Sequence, residues 1–314
     1  MRISDLTVLS FGGGQDSTAI LLKILTDERF KERYAPDKLV VIMSDTGNEH
    51  PYTYEHVKYV DEMCKTKDIP FFFLTKEDGF HSEAWQDLIT PQLRDEGEKF
   101  KPTMVQLGTK SCTDKLKIAP IYKFLDEYIN DLMGYEFNVK STRGCLKKAI
   151  KKFHEEEGKI RVLIGFAKGE EKRSIKANQI QDKDYAQGGD SWRKAIYREY
   201  PLIDESLDRS ECQKFIEETI GHCPMPSNCI LCPYQSDAEL VWLSRNYPDW
   251  LEVWYKIEEK KLARYTHIVK NHGVYNSKKP LKTKVSEAIV KYKGWTDEQL
   301  NGYKNCHGCP TNIF

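Results

Sequence analysis

Short apolar runs alternate with segments of helical period along the first half of the chain. Four runs are apolar, rich in β-branched or aromatic residues and too short for helices, so we predict that they form buried β-strands: residues 6–11, 39–43, 71–74 and 161–165. Residues 18–25 and 52–64 have the composition of helices. Strands joined by such helices pair in parallel through right-handed crossovers. The pattern therefore predicts an α/β fold with a doubly wound, mostly parallel sheet.

The second half of the chain has a different pattern. It becomes polar after about residue 174 and then mainly helical, and three tryptophans between residues 242 and 254 are spaced to fall on one helical face. We expect this aromatic stripe to pack against the sheet. The change of pattern predicts an α/β domain over residues 1–175 and a smaller helical, cysteine-containing domain over residues 176–314.

Composition excludes several classes of protein. The 314 residues are 39% hydrophobic and 31% charged, as in a folded globular protein. The 48 Lys+Arg balance 48 Asp+Glu, which disfavours a basic surface that coats nucleic acid. Mean hydropathy is −0.63, and no apolar run approaches the ~20 residues that span a bilayer. The N-terminus lacks the apolar core of a signal peptide. We therefore expect a cytoplasmic protein with no membrane partner.

A glycine turn joins the first predicted strand to the first predicted helix. Three successive glycines let the backbone approach a ligand closely and adopt positive φ. The helix that follows directs its free N–H groups and its positive dipole end into the turn, and Asp16 is placed to hold a magnesium ion on phosphates. The predicted polyphosphate site comprises Ser10, Gly12, Gly13, Gly14, Gln15, Asp16, Ser17 and Thr18.

Spacing excludes two other phosphate-binding turns. The Walker loop requires a lysine after its last glycine, and none stands here. The dinucleotide fingerprint fails because Asp16 and Ser17 occupy the place of its third glycine. The alternative interpretation is a plain strand–helix turn with an Asp or Ser cap.

The Gly-Gly-x-Asp-Ser sequence after the first strand resembles the PP-loop of the ATP pyrophosphatases. The resemblance implies an adenine nucleotide alpha-hydrolase-like fold in residues 1–175. It also implies an activity that splits ATP between its α and β phosphates and activates a substrate as its adenylate. Gly12 stands where the family usually has Ser, and Gln15 stands where it often has Lys. Both departures remove a phosphate donor.

Three further segments resemble phosphoadenosine phosphosulfate reductase-like proteins, and with the turn the resemblance covers about residues 5–235. They are residues 44–51, 111–120 and 165–174. The resemblance implies cationic phosphate contacts from Lys115, Lys117, Lys168 and Arg173, each worth ~1.5–3 kcal/mol. It also places Asp45 and Thr46 at the nucleotide, with Asp45 bonding the ribose or helping to hold magnesium.

The nine cysteines are expected to be thiols or metal ligands rather than disulfides, because the expected compartment is reducing. Cys229 and Cys232 form a Cys-x-x-Cys pair, and Cys223 precedes it by six residues, so three thiolates can converge on one metal or cluster. Resemblance to iron–sulfur sulfonucleotide reductases implies that Cys112 joins them. We expect a [4Fe-4S] cluster, with zinc as the alternative.

Cys306 and Cys309 form a second Cys-x-x-Cys pair near the C-terminus. Two such pairs are compatible with one zinc site of four thiolates. Alternatively the second pair is mobile and redox-active. Sulfonucleotide reductases carry a nucleophilic cysteine in a Glu-Cys-Gly tail, from which this sequence departs. Buried thiols without a ligand are the remaining interpretation.

The sequence supports three hypotheses for function. The first is an enzyme that binds ATP at residues 12–18 with Mg²⁺, transfers AMP to a substrate oxygen, releases pyrophosphate and then delivers sulfur; its catalytic residues include Asp16, Lys115 and Arg173. Its acceptor would be a nucleotide, a nucleic acid or a small molecule, and a sulfur-donor protein is its expected partner. The second is a sulfonucleotide reductase that attacks sulfur with Cys306 or Cys309. The third is a non-catalytic nucleotide sensor.

Overall fold

The computed structural model describes residues 5–102, 112–139, 147–175, 178, 192–266, 273–274 and 279–301. Within these ranges a five-stranded sheet has the order β3-β2-β1-β4-β5, with every neighbouring pair parallel. The strands are β1 (Asp5–Ser10), β2 (Lys38–Ser44), β3 (Phe71–Leu74), β4 (Lys159–Ile164) and β5 (Ile196–Glu199). The predicted parallel α/β sheet is confirmed, and four strands coincide with the predicted runs.

The predicted helices over residues 18–25 and 52–64 lie inside the first and third helices. The α-helices are α1 (Gln15–Thr26), α2 (Glu28–Tyr34), α3 (Pro51–Thr66), α4 (Thr90–Leu93), α5 (Ala119–Met133), α6 (Lys148–Glu155), α7 (Pro201–Asp204), α8 (Arg209–Ile220), α9 (Asp237–Asn246), α10 (Pro248–Arg264) and α11 (Leu281–Lys291). A π-helical turn, Thr113–Ile118, leads into α5. In the described part of the chain, no helix is both long and apolar enough to cross a membrane.

Helices cover both faces of the sheet, as a doubly wound fold requires. Along β1, Leu6 and Val8 join a core with α5 and α6, whereas Leu9 joins a second core with α1 and α3. Because both faces are buried, β1 to β4 carry apolar residues on both faces instead of alternating strictly with polar residues. This is why their sequence runs are so clear.

The strand order reverses between β1 and β4. The chain leaves β1 toward β2 and β3 on one side, and β4 then pairs on the opposite side of β1. Such a reversal opens a crevice at the carboxyl ends of the strands, where ligands of α/β proteins bind. Gly165 follows β4 here, and a Cβ on it would lie 2.9 Å from the backbone N of Ser17. The fold therefore places the glycine turn in this crevice.

The C-terminal helices form a third hydrophobic core. Leu240 of α9, Trp254 of α10 and Val285 of α11 are buried together. Two features after residue 175 belong instead to the sheet layers: β5 pairs with β4, and Ile216 of α8 joins the core under α1. The α/β part thus extends beyond the predicted boundary at residue 175, and the division into two domains stays a prediction.

Candidate functional site

A cavity of about 200 Å³ occupies the crevice between β1 and β4. Its walls come from the glycine turn and the start of α1, the end of β4, the turn that precedes α5, and residues 226–234, which we call the strap. Twelve residues predicted for the site line it: Ser10, Gly12, Gly14, Gln15, Asp16, Ser17, Thr46, Cys112, Lys117, Arg173, Cys229 and Cys232. The structure therefore brings the predicted phosphate turn and three of the predicted metal ligands to one cavity.

Side chains from other parts of the chain lie close against the backbone of the glycine turn. Gly13 has φ of +69°, a left-handed conformation that favours glycine. A Cβ on Gly13 would lie 2.8 Å from Cγ2 of Thr53, and one on Gly14 would lie 2.6 Å from Oγ of Ser227. Neither position can carry a side chain without displacing its neighbours, so the turn presents bare backbone at the start of α1.

The hydroxyl groups at the start of α1 hold the turn in shape. Ser17 Oγ accepts a hydrogen bond from Gly12 N–H at 3.2 Å and donates to Gly14 O at 3.1 Å. Thr18 is fully buried; its Oγ1 donates to Gly14 O at 2.8 Å and lies 2.8 Å from Nε2 of His56. Burial lowers the pKa of His56 to about 4. Of Ser17 and Thr18, only Ser17 lines the cavity.

Asp16 lies in a charged network at the mouth of the crevice. Its Oδ2 accepts a hydrogen bond from Nη2 of Arg209 at 3.3 Å, while Oε1 of Glu170 lies 3.6 Å from the same nitrogen and 2.5 Å from Nη1 of Arg173. Burial raises the pKa of Asp16 despite the opposing charge of Arg209. Asp16 Oδ1 is buried with no hydrogen-bond partner among the described residues. An unpartnered carboxylate oxygen is a ligand that Mg²⁺ prefers.

Gln15 ties α1 to the C-terminal half of the chain. Its Nε2 donates to Pro224 O at 2.8 Å, and its Oε1 accepts from Nε2 of Gln213 at 2.9 Å. Although Gln15 lines the cavity, these side-chain bonds point it at α8 and the approach to the strap. Gln15 therefore links α1 to the C-terminal half of the chain and also lines the cavity.

Asp45 and Thr46 follow β2 but face different surroundings. Asp45 Oδ1 accepts hydrogen bonds from Gly47 N–H and from the Tyr54 hydroxyl, both at 2.9 Å, and burial raises its pKa. Asp45 does not line the cavity, whereas Thr46 does. The contact of Asp45 with a ribose or with magnesium stays a prediction.

A buried ion pair joins Lys117 to Glu49. Lys117 Nζ lies 3.0 Å from Glu49 Oε1, and the Glu49 side chain is 0% exposed against 31% for Lys117. Thr46 Oγ1 donates to the same carboxylate oxygen at 3.0 Å. Glu49 Oε2 is buried without a hydrogen-bond partner in the described ranges. The carboxylate thus fixes the predicted phosphate-binding amine at the cavity wall.

Three of the four cysteines predicted as metal ligands share the cavity. Cys112, Cys229 and Cys232 line it, and Cys229 Sγ lies 3.4 Å from Oγ1 of Thr46. Burial raises the pKa of Cys112 and, much further, that of Cys229. Cys223 instead packs at the edge of the core under α1 and α3 and is absent from the cavity wall. Three of the four predicted thiols therefore line the cavity, and the shared ligand set that includes Cys223 stays a prediction.

The thiols are not drawn together into a ligating geometry. Among the described residues, no group of three or more His, Cys, Asp or Glu side chains has the arrangement to hold a metal ion. The donor type still fits, since thiolates are the ligands that zinc and iron–sulfur clusters prefer. Binding would require these thiols to lose protons and to approach one another. The tail pair, Cys306 and Cys309, lies outside the described residues.

Two predicted cationic residues lie away from the cavity. Lys115 is half exposed, with Nζ 3.2 Å from Oδ2 of Asp114, and Lys168 is exposed. Neither lines the cavity. Their contacts with phosphate, and the catalytic role of Lys115, stay predictions.

Four further residues of the site were not identified from the sequence. Arg209 and Glu49 pair with the predicted residues Asp16 and Lys117, and Ser227 and Asn228 belong to the strap. No motif marks Arg209, and although Glu49 lies within the segment 44–51, the resemblance of that segment assigned it no role. The strap residues had one usable signal, which is their position directly before the Cys-x-x-Cys pair.

No protein-family model matches this chain. The uncharacterized nin region protein ORF290 of Escherichia phage lambda is 34% identical over 136 residues, which are 39% of this chain and 43% of that protein. The chain thus matches less than half the length of this curated relative. Among solved structures, the U34-tRNA thiolase NcsA from Methanococcus maripaludis with its [4Fe-4S] cluster aligns with a TM-score of 0.38 and 15% identity, over 85% of this chain and 74% of that one. Neither match establishes a family.

Proposed function

We propose that this chain is a PP-loop-type enzyme that adenylates an acceptor with ATP, releases pyrophosphate and delivers sulfur to the activated acceptor, from which AMP then leaves. The observation that carries the proposal is the shared cavity. The glycine turn lies on one wall, and Cys112, Cys229 and Cys232 lie on others. A triphosphate held at the turn and sulfur held at the thiols would meet in one enclosed space.

The phosphates would lie against the amides at the start of α1, where the helix dipole and the free N–H groups favour anions. Lys117 and Arg173 line the same cavity and contribute positive charge. In the adenylation step an acceptor oxygen forms a bond to the α-phosphorus, and the bond to the bridging oxygen of the β-phosphate breaks. Negative charge then accumulates on the leaving pyrophosphate, and donors that are already in place stabilise it.

Magnesium would bind at Asp16. The supporting observation is the buried, unpartnered Oδ1 of this carboxylate beside the cavity, while Arg209 holds Oδ2. The ion would neutralise phosphate charge when bound. Arg209 would keep the carboxylate in one orientation, so that Oδ1 continues to face the phosphates.

Cys112, Cys229 and Cys232 would hold a [4Fe-4S] cluster or, as the alternative, zinc. These three thiolates would hold the group, which when bound would supply a place where sulfide is kept for transfer. The chain's own contribution is a buried wall that keeps water from the thiols. Cys223 does not line the cavity and is left out of this set.

The acceptor is defined by its chemistry as a group with an oxygen that can attack phosphorus. A nucleotide, a nucleic acid and a small molecule all offer one. The zero net charge of the chain disfavours a wide nucleic-acid footprint. A sulfur-donor protein would be the partner that reloads the cavity. These choices become separate arms of the test.

The test uses the full chain with α-labelled ATP, Mg²⁺, sulfide as the sulfur source and each acceptor class in turn, and it follows AMP and pyrophosphate. We expect both products in an acceptor-dependent reaction, and we expect none from a Gly13→Val variant, whose fold is checked by circular dichroism because the added side chain strains the turn. A parallel arm supplies a sulfonucleotide and measures sulfite. Sulfite release without ATP cleavage would replace the proposal by a reductase, and tight ATP binding without either product would replace it by a sensor.

A further inference from the structure

The glycine turn has room for a side chain at only one of its three glycines. Gly13 has positive φ, and Gly14 is blocked by Ser227 at 2.6 Å. At Gly12, φ lies outside the left-handed region, and the nearest atom to an added Cβ is Oγ of Ser227 at 4.0 Å. A side chain could therefore stand at position 12, yet the chain leaves that space open.

The hydroxyl of Ser227 occupies the neighbourhood that a side chain at Gly12 would reach. Ser227 lies 215 positions along the chain from Gly12, lines the same cavity and packs directly over Gly14. In the described part of the chain, the Ser227 hydroxyl makes no hydrogen bond of its own. It is a donor that faces the turn and has no protein acceptor there.

The strap holds Ser227 firmly in place. On one side, Gln15 bonds to Pro224 O at 2.8 Å. On the other side, the backbone N–H groups of Ile230 and Leu231 donate to the main-chain and side-chain oxygens of Asn48 at 2.8 and 2.9 Å. Because the backbone on both sides of Ser227 is fixed to the α/β layers, a ligand would lose little affinity to ordering the segment that carries the hydroxyl.

A second observation on the strap indicates a ligand. Asn228 is 95% buried, with 5% of its surface exposed, and lines the cavity; its Nδ2 donates to Oε1 of Glu239 at 2.9 Å. Its Oδ1 has no hydrogen-bond partner within the described ranges. Buried polar groups are rarely left unpaired. An acceptor of this kind suits a hydroxyl or amino group of a nucleoside, next to the donor that Ser227 offers to phosphate.

We propose that Ser227 is a polyphosphate-binding residue, supplied to the glycine turn from the strap. This inference rests on the proposed binding of ATP at the turn. Ser227 donates its hydroxyl proton to a phosphate oxygen of a nucleoside triphosphate or of pyrophosphate. The strap that carries two cavity thiols thus completes the phosphate site as well.

The test is calorimetric titration of the full chain with ATP and with pyrophosphate, each with Mg²⁺. Ser227→Ala should weaken pyrophosphate binding about tenfold or more, as expected for loss of a hydrogen bond to a charged group. Ser244→Ala, a serine of α9 outside the cavity wall, is the matched control and should bind as the wild type does. Thermal unfolding of each variant should match the wild type.

A rescue variant separates binding from structure. Gly12→Ser places a hydroxyl in the open space beside Ser227, and Gly12→Ser combined with Ser227→Ala should restore pyrophosphate affinity to within about threefold of the wild type. Unchanged affinity in Ser227→Ala, or a loss that Gly12→Ser does not restore, would overturn the role of Ser227. Absence of ATP and pyrophosphate binding in the wild-type chain would instead refute the proposed function, so the two failures are distinguishable.

Discussion

Removal of the Lys117 amine should strongly destabilise the protein, because it leaves the carboxylate of Glu49 buried without its ion-pair partner. The two groups are 3.0 Å apart, and the Glu49 side chain is 0% exposed. Loss of one partner of a buried pair costs about 3–5 kcal/mol. Lys117 is itself 31% exposed, and Thr46 still donates to the carboxylate. We therefore expect Lys117→Met to lower the free energy of unfolding by about 3 kcal/mol, the lower end of that range.

Urea unfolding, followed by circular dichroism, measures this difference in the free energy of unfolding. Lys115→Met is the matched control, since that lysine is half exposed and its ion pair with Asp114 lies at the surface; we expect a change within about 0.5 kcal/mol. Adding Glu49→Gln to Lys117→Met should recover a large part of the loss, because the uncompensated charge is then removed.

Two results would refute this reasoning about the ion pair. One is a loss below about 1 kcal/mol in Lys117→Met, which would mean that water or another cation reaches Glu49. The other is a double variant as unstable as Lys117→Met, which would mean that the lysine stabilises the fold by packing and not through charge.

Three other predictions concern the turn, the thiols and a buried histidine. Gly13→Val should abolish ATP binding in a filter assay, since φ at this position is +69° and Thr53 and Met43 fill the space; wild-type affinity would remove the phosphate assignment. Cys229→Ala should lose the metal of anaerobically purified protein, measured by elemental analysis, whereas Cys223→Ala should retain it; equal loss in both would contradict the three-thiol set. Below pH 6.5 the unfolded chain protonates at His56 but the folded chain does not until about pH 4, so stability should fall by up to about 3 kcal/mol over that window. His56→Gln should show a smaller fall, and an identical pH profile would exclude this histidine as the cause.

The sheet was predictable because both of its faces are buried. Within Lys38–Ser44, for example, residues 39–43 are all apolar, and the glycine turn after Asp5–Ser10 marks where that first strand ends. Ile196–Glu199 escaped prediction because it is a short edge strand with one fully buried residue and polar neighbours. Its position is decided by pairing with β4, which is a tertiary contact that no local pattern encodes.

The site was predictable where several of its residues follow one another along the chain. The turn, the Cys-x-x-Cys pair and the segment that contains Cys112 and Lys117 all met this condition. Cys223 shows the limit, since its spacing from Cys229 suited a shared ligand set but its side chain packs toward the core under α1. Glu49 and Ser227 show the converse, because each becomes part of the site only when distant segments come together.

The bonds of Gln15 have a consequence for how the two halves of the cavity respond to each other. The same side chain that opens α1 bonds to Pro224, two residues before the strap that bears two of the three cavity thiols. If the thiols and the turn bind ligands as proposed, the two ligands would act on one shared stretch of backbone. By thermodynamic reciprocity, whatever factor a metal or sulfur ligand imposes on the nucleotide dissociation constant, the nucleotide must impose on that ligand's own.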